Sequence, residues 1–115
     1  MTERPLSQVL QDILETITYL ETFTGGVSLE EFEANPEKLF AVIKALEITG
    51  EAVKKIPDDV RVQYPQIPWK DIAGMRDILV HQYWRVDSQV VWSTVQTGIP
   101  LLKSAIADLA SQYPN

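Results

Sequence analysis

The chain has one histidine, His81, five positions after Arg76 and two before Tyr83 in the run Arg76-Asp77-Ile78-Leu79-Val80-His81-Gln82-Tyr83. Near neutral pH an imidazole takes a proton from one oxygen and returns it to another. A guanidinium, always charged, holds a phosphate or the charge developing on it. Those are the two tools needed to cleave RNA through its own 2′-hydroxyl without a metal. Spacing by itself does not select that chemistry, because the same residues equally serve as a surface arginine, a helix-end histidine and a core tyrosine. Asp77 is a supporting candidate that would either orient Arg76 or weaken its grip on phosphate.

Other chemistries find less support. With no cysteine there is no thiolate nucleophile, disulfide or thiolate metal site. One histidine and dispersed acids such as Glu15, Glu21, Glu30, Glu31 and Glu33 offer no matched ligand set, so neither metal nor cofactor is expected. Thr24-Gly25-Gly26 lacks the lysine and the preceding strand of a phosphate loop. Glu47 and Glu51, four apart, share a helix face and would line a cleft or simply a solvated surface. Trp69, Trp84 and Trp92 could stack on bases, but packing or a dimer interface is the commoner use of tryptophan in a small chain.

The elements that must position these groups read as helices. Leu6, Leu10, Ile13, Ile17 and Leu20 recur at steps of three and four, predicting a helix that ends near Thr24-Gly25-Gly26. Ser28 with Glu31 forms a capping-box pattern for a short piece to Ala34, and Asn35-Pro36 starts a new helix. Leu39, Phe40, Ile43, Leu46 and Val53 carry that helix to about Lys55, with Gly50 its weak point. Pro57, Pro65 and Pro68 mark a connector, with a short turn over 58–63 and Trp69 pinning it to the core. Ile72, Met75, Leu79 and Tyr83 predict a helix from Lys70 to about Tyr83. Asp87 or Ser88 caps a last helix with Val91, Val95, Leu102, Ile106 and Leu109 inside, bent or interrupted by Gly98 and Pro100. The expected fold is all-α, an antiparallel four- to five-helix bundle in one domain over 1–115.

At 115 residues and 45% hydrophobic content, the chain has material for one core. It shows neither a signal peptide nor an apolar run of about 18 residues, so a soluble, cytoplasmic protein with no membrane partner is expected. The net charge of −6 argues against nonspecific attraction to a polyanion. That charge is unevenly spread: residues 1–69 hold 6 basic and 12 acidic side chains, while residues 70–85 hold Lys70, Arg76 and Arg85 against Asp71 and Asp77. An anionic ligand would prefer the second segment.

Several stretches, taken in order, resemble the HepT-like branch of the HEPN superfamily. Leu46-Glu47-Ile48-Thr49-Gly50-Glu51-Ala52 is similar to that family's Leu-Glu-Ile-Ile-Gly-Glu-Ala helix, and Pro65-Gln66-Ile67-Pro68-Trp69 to its connector. Arg76 to Tyr83 fits its Arg-x4-His-x-Tyr signature, and Asp87 to Trp92 its approach to the last helix. The resemblance implies a homodimeric toxin of a type VII-like toxin–antitoxin pair, a metal-independent endoribonuclease with Arg76 binding phosphate and His81 as acid and base. Its partner would be a small nucleotidyltransferase (MNT) antitoxin that silences it by adenylylating Tyr83. The alternative is a noncatalytic regulatory or nucleotide-binding subunit of a nucleotidyltransferase complex. Asp77, Gln82 and Trp84-Arg85 depart from the family's usual residues.

One geometric expectation comes from a rotation of about 100° per helical residue: Arg76 and Tyr83 differ by about 20°, Arg76 and His81 by about 140°. Either the helix ends or distorts near His81, or a dimer brings the histidine of one subunit to the arginine of the other. The second option agrees with the dimer that the resemblance implies.

Overall fold

Side-chain caps open two of the first three helices, and a glycine pair closes the first. The computed structural model describes residues 4–114. Helix α1 (Leu6–Thr24) closes at Gly25-Gly26, where Gly26 takes φ 73°, the left-handed conformation that glycine adopts without a Cβ penalty. Helix α2 (Leu29–Glu33) opens on a complete capping box: the Ser28 hydroxyl accepts from the Glu31 N–H, and the Glu31 carboxylate accepts from the Ser28 N–H. Asn35 caps α3 (Pro36–Val53) by accepting from the Lys38 N–H at 3.0 Å, with Pro36 in the first turn. The proline-rich connector holds one turn, α4 (Asp58–Arg61), before α5 (Trp69–His81).

A continuous apolar core runs from Val9 in α1 to Leu109 near the C-terminus. Leu10, Ile13, Ile17 and Leu20 are fully buried on the predicted stripe of α1, which packs against α3 and the C-terminal helix. The stripe of α3 follows expectation at Leu39, Ile43, Leu46 and Val53 and departs from it at Phe40. Phe40 is 67% exposed, and the buried face is Val42, Ala45, Leu46, Thr49, Gly50 and Val53. At Gly50, on that inner face, α5 crosses α3 at close range. A Cβ on Gly50 would stand 2.5 Å from the Cβ of Arg76 and 3.1 Å from the carbonyl of Ile72. Gly50 therefore permits the contact that seats Arg76.

The third long helix stops earlier than its apolar spacing predicts. It ends at His81; Gln82 leaves helical geometry (φ −135°, ψ 50°), and Tyr83–Arg85 form a separate 3₁₀ turn. Tyr83 is accordingly not on the inner stripe with Ile72 and Leu79 but 76% exposed. The chain must turn here to deliver Val86, Val91 and Trp92 to the core, where Trp92 lies on the buried ring of Phe32 at 5.1 Å. Periodicity cannot reveal that demand, since Tyr83 merely happens to continue the count.

Asp87 caps α6 (Ser88–Ser93) through its side chain and the Gln89 N–H. Gly98 and Pro100 do not interrupt the helical path beyond it. A π-helical turn over Thr94–Gly98 leads directly into α7 (Ile99–Gln112), with the Ile99 N–H bonding the Thr94 carbonyl five residues back. Widening the helix by one residue per turn accommodates a proline that has no N–H to donate and whose ring crowds the preceding carbonyls. No β-strand occurs among the described residues, and none of their helices is long and apolar enough to cross a membrane. The architecture is all-α, as the sequence predicts.

Candidate functional site

The close crossing at Gly50 puts Arg76 of α5 beside the C-terminal half of α3. The guanidinium lies between two carboxylates: its Nε is 3.1 Å from Glu51 Oε2, and one Nη donates to Asp77 Oδ1 at 3.1 Å. Lys54 donates to the same Asp77 oxygen at 2.7 Å. Hydrogen bonds from Lys54 and then Arg76 hold the Asp77 carboxyl below its ordinary range. Asp77 is thus an ion-pair partner of both Arg76 and Lys54. The guanidinium has five N–H donors in a rigid fork, so two carboxylate contacts leave donors over for a third anion.

Arg76 and Val80, one turn apart on α5, line a groove of about 710 Å³ walled by α1, α3 and α5. Its charges are balanced: Arg4, Lys44, Lys55 and Arg76 against Asp12, Glu15, Glu47 and Glu51. Between them lie Tyr19, Ile48 and Val80, apolar yet exposed. With its charges balanced, the groove exerts no net attraction on a polyanion, so an anion there would depend on local contacts such as the spare donors of Arg76.

His81 sits outside this groove. It is the last residue of α5, exposed, and its ring makes no hydrogen bond among the described residues. Because α5 is helical through both positions, Arg76 and His81 project about 140° apart. Within one chain they do not converge. Tyr83 stands on the 3₁₀ turn beyond, so the 20° relation to Arg76 expected for a helix continuing past His81 does not hold. Asp77 and Arg76 are together; His81 and Tyr83 occupy the neighbouring end of the helix.

Two groups of this site were not singled out from the sequence. Glu51, weighed there only as half of an acidic i,i+4 pair, is an ion-pair partner of Arg76, and that pairing was its one available signal. Lys54 had none, since its partner Asp77 is 23 residues away in the chain. Among the described residues no group of three or more His, Cys, Asp or Glu side chains is arranged to hold a metal ion.

The molecule is therefore an all-α protein presenting an anchored guanidinium in a groove and an exposed histidine at the end of the same helix. The chain belongs to the ribonuclease HepT-like family, whose family model matches residues 13–109. Among its relatives, a protein of Thermococcus cleftensis named "Probable ribonuclease HepT" is 45% identical over 107 residues, 93% of this chain and 97% of its own length. A protein of Methanocaldococcus jannaschii named as a candidate RNase is 48% identical over 103 residues, 90% of this chain and 85% of its own. No solved structure matches the chain.

Proposed function

We propose that this protein is a metal-independent endoribonuclease, the toxin of a type VII-like toxin–antitoxin pair, working as a homodimer in which each site takes Arg76 from one subunit and His81 from the other. The observation that carries the reading is Arg76, fixed by Glu51 and Asp77 with donors to spare, on a helix whose end presents the histidine. The angle between Arg76 and His81 supports a composite site. So does a balanced, partly apolar groove of the kind that a second copy would cover.

In such a site the 2′-hydroxyl of RNA attacks the adjacent phosphorus. Neutral His81 accepts the 2′-hydroxyl proton as the O2′–P bond forms. The resulting imidazolium returns a proton to the 5′-oxygen as the P–O5′ bond breaks, leaving a 2′,3′-cyclic phosphate and a free 5′-hydroxyl. Arg76 holds the nonbridging oxygens and offsets charge building on them. No redox change and no co-reactant is needed.

Regulation by a small nucleotidyltransferase antitoxin completes the reading, with Tyr83 as the acceptor of AMP. The exposure of its side chain supports access by a second protein. Each AMP transferred adds a negative phosphate and a large group near His81, which opposes RNA binding by charge and by occupancy.

The deciding experiment assays purified protein on single-stranded RNA in excess chelator. Wild type should cut and leave cyclic-phosphate ends, whereas Arg76→Ala and His81→Ala should be inactive with unchanged helical content. Mixing the two dead variants restores one intact site per heterodimer if the site is composite, and restores nothing if each chain is self-sufficient. Wild type that binds a nucleotidyltransferase but cuts no RNA would replace the reading with that of a noncatalytic subunit. For Tyr83, mass spectrometry after incubation with the antitoxin and ATP should find AMP on wild type and none on Tyr83→Phe. Equal mass increments on both would refute the assignment.

A further inference from the structure

The structure sorts the three tryptophans by environment. Trp69 is buried and donates its indole N–H to the carbonyls of Arg61 and Tyr64, both at 3.0 Å. Trp92 packs on Phe32. Trp84 does neither: it is 69% exposed and contributes nothing to the core. Its only aromatic neighbour among the described residues is Tyr83, edge to face with ring centres 5.5 Å apart. Both rings stand on the 3₁₀ turn beyond His81, and Arg85 completes it, its guanidinium donating to Gln82 Oε1 at 2.6 Å. An indole left in water forgoes the burial that makes tryptophan worth having in a small chain.

We propose that the Tyr83–Arg85 turn is a base-binding site for single-stranded RNA, in which the Trp84 indole stacks on an unpaired nucleobase and Arg85 meets the adjoining phosphate. The inference rests on the ribonuclease reading and deepens it: the stacked base registers the strand so that a phosphodiester lies at His81, three residues before Trp84. Charge favours RNA over a protein occupant, because Arg85 on this turn has no carboxylate partner among the described residues and meets only the neutral Gln82, in a chain of net charge −6. Every base has a π face but only an unpaired one can present it, so the site distinguishes single-stranded from duplex RNA rather than one base from another.

The test uses full-length protein carrying His81→Ala, so that the strand survives, and reads the fluorescence anisotropy of a labelled oligouridine and of a labelled duplex RNA. Trp84→Ala in that background should weaken oligouridine binding about tenfold or more, the usual loss for one base stack, while duplex affinity stays unchanged. Trp84→Phe should retain most of the affinity, and neither change should lower the melting temperature of so exposed a position. With His81 intact, Trp84→Ala should raise KM for single-stranded RNA more than it lowers kcat. Unchanged oligouridine affinity in Trp84→Ala overturns the proposal. So does a change in oligomeric state by light scattering with loss of both RNA affinities, which would assign the ring to a protein contact. Wild type that cleaves while Trp84→Ala binds normally refutes only this site. Wild type that binds through Trp84 without cleaving refutes only the ribonuclease reading.

Discussion

Alanine in place of glycine inside a helix ordinarily stabilises, by about 1 kcal/mol, because glycine loses more backbone freedom on folding. At position 50 the structure reverses that sign. The new Cβ would lie 2.5 Å from the Arg76 Cβ and 3.1 Å from the Ile72 carbonyl, whereas carbons pack best at about 3.5–4.0 Å. Neither obstacle is the free end of a flexible chain, so α5 must retreat from α3 by about 1 Å. Overpacking of this kind costs about 1–3 kcal/mol. Set against the propensity gain of about 1 kcal/mol, a net loss of about 1 kcal/mol is expected for Gly50→Ala, or a fall of about 3–5 °C in melting temperature at this chain length. Gly74, in α5, meets nothing within 4 Å of a built Cβ. Gly74→Ala should therefore gain about 1 kcal/mol, the opposite sign. Thermal and urea denaturation followed by circular dichroism compare the two variants directly. RNA cleavage supplies a second reading: moving the guanidinium about 1 Å should lower the rate on the order of a hundredfold. A Gly50→Ala protein that melts as high as Gly74→Ala would refute the close-crossing argument.

The remaining expectations use the same measurements. Phe32→Ala, which empties a fully buried site under Trp92, should cost about 3–5 kcal/mol in urea denaturation; a loss under 1 kcal/mol would mean that the α2–α6 corner does not depend on that ring. Asp77, its carboxyl held low by Lys54 and Arg76, binds more protons unfolded than folded. Its contribution is complete above about pH 4 and fades as the pH falls through the lower, folded value. Wild type should thus lose stability relative to Asp77→Asn below about pH 4, and a constant difference between the two down to acid pH would contradict the pairing. Glu51→Gln keeps the shape but removes a charge from a partly exposed pair, so stability should change by less than about 1 kcal/mol. Freed of that carboxylate, Arg76 should bind single-stranded RNA with an altered KM; identical KM and kcat would show that Glu51 does not position it.

Local chemistry was enough to read the helices. A capping box at Ser28 and Glu31, an asparagine cap before Pro36 and a repeating apolar step in α1 act within one or two turns of chain, and each appears where its residues stand. The Arg76, His81 and Tyr83 signature was equally legible as a motif. Its geometry was not, because geometry depends on what distant segments require. Tyr83 extends the α5 periodicity in sequence but leaves the helix, since the chain must turn to bury Val86, Val91 and Trp92. Phe40 fits the α3 pattern by hydropathy yet faces water, and the inner face is made by Val42, Ala45, Leu46, Thr49, Gly50 and Val53. Glu51 and Lys54 became parts of the site only when α3 and α5 were set side by side, joining residues more than twenty positions apart. Hydropathy and capping operate over a few residues and are encoded where they act. Helix ends, buried faces and charge partners are decided by close packing between segments, where one missing Cβ at Gly50 determines where Arg76 can stand.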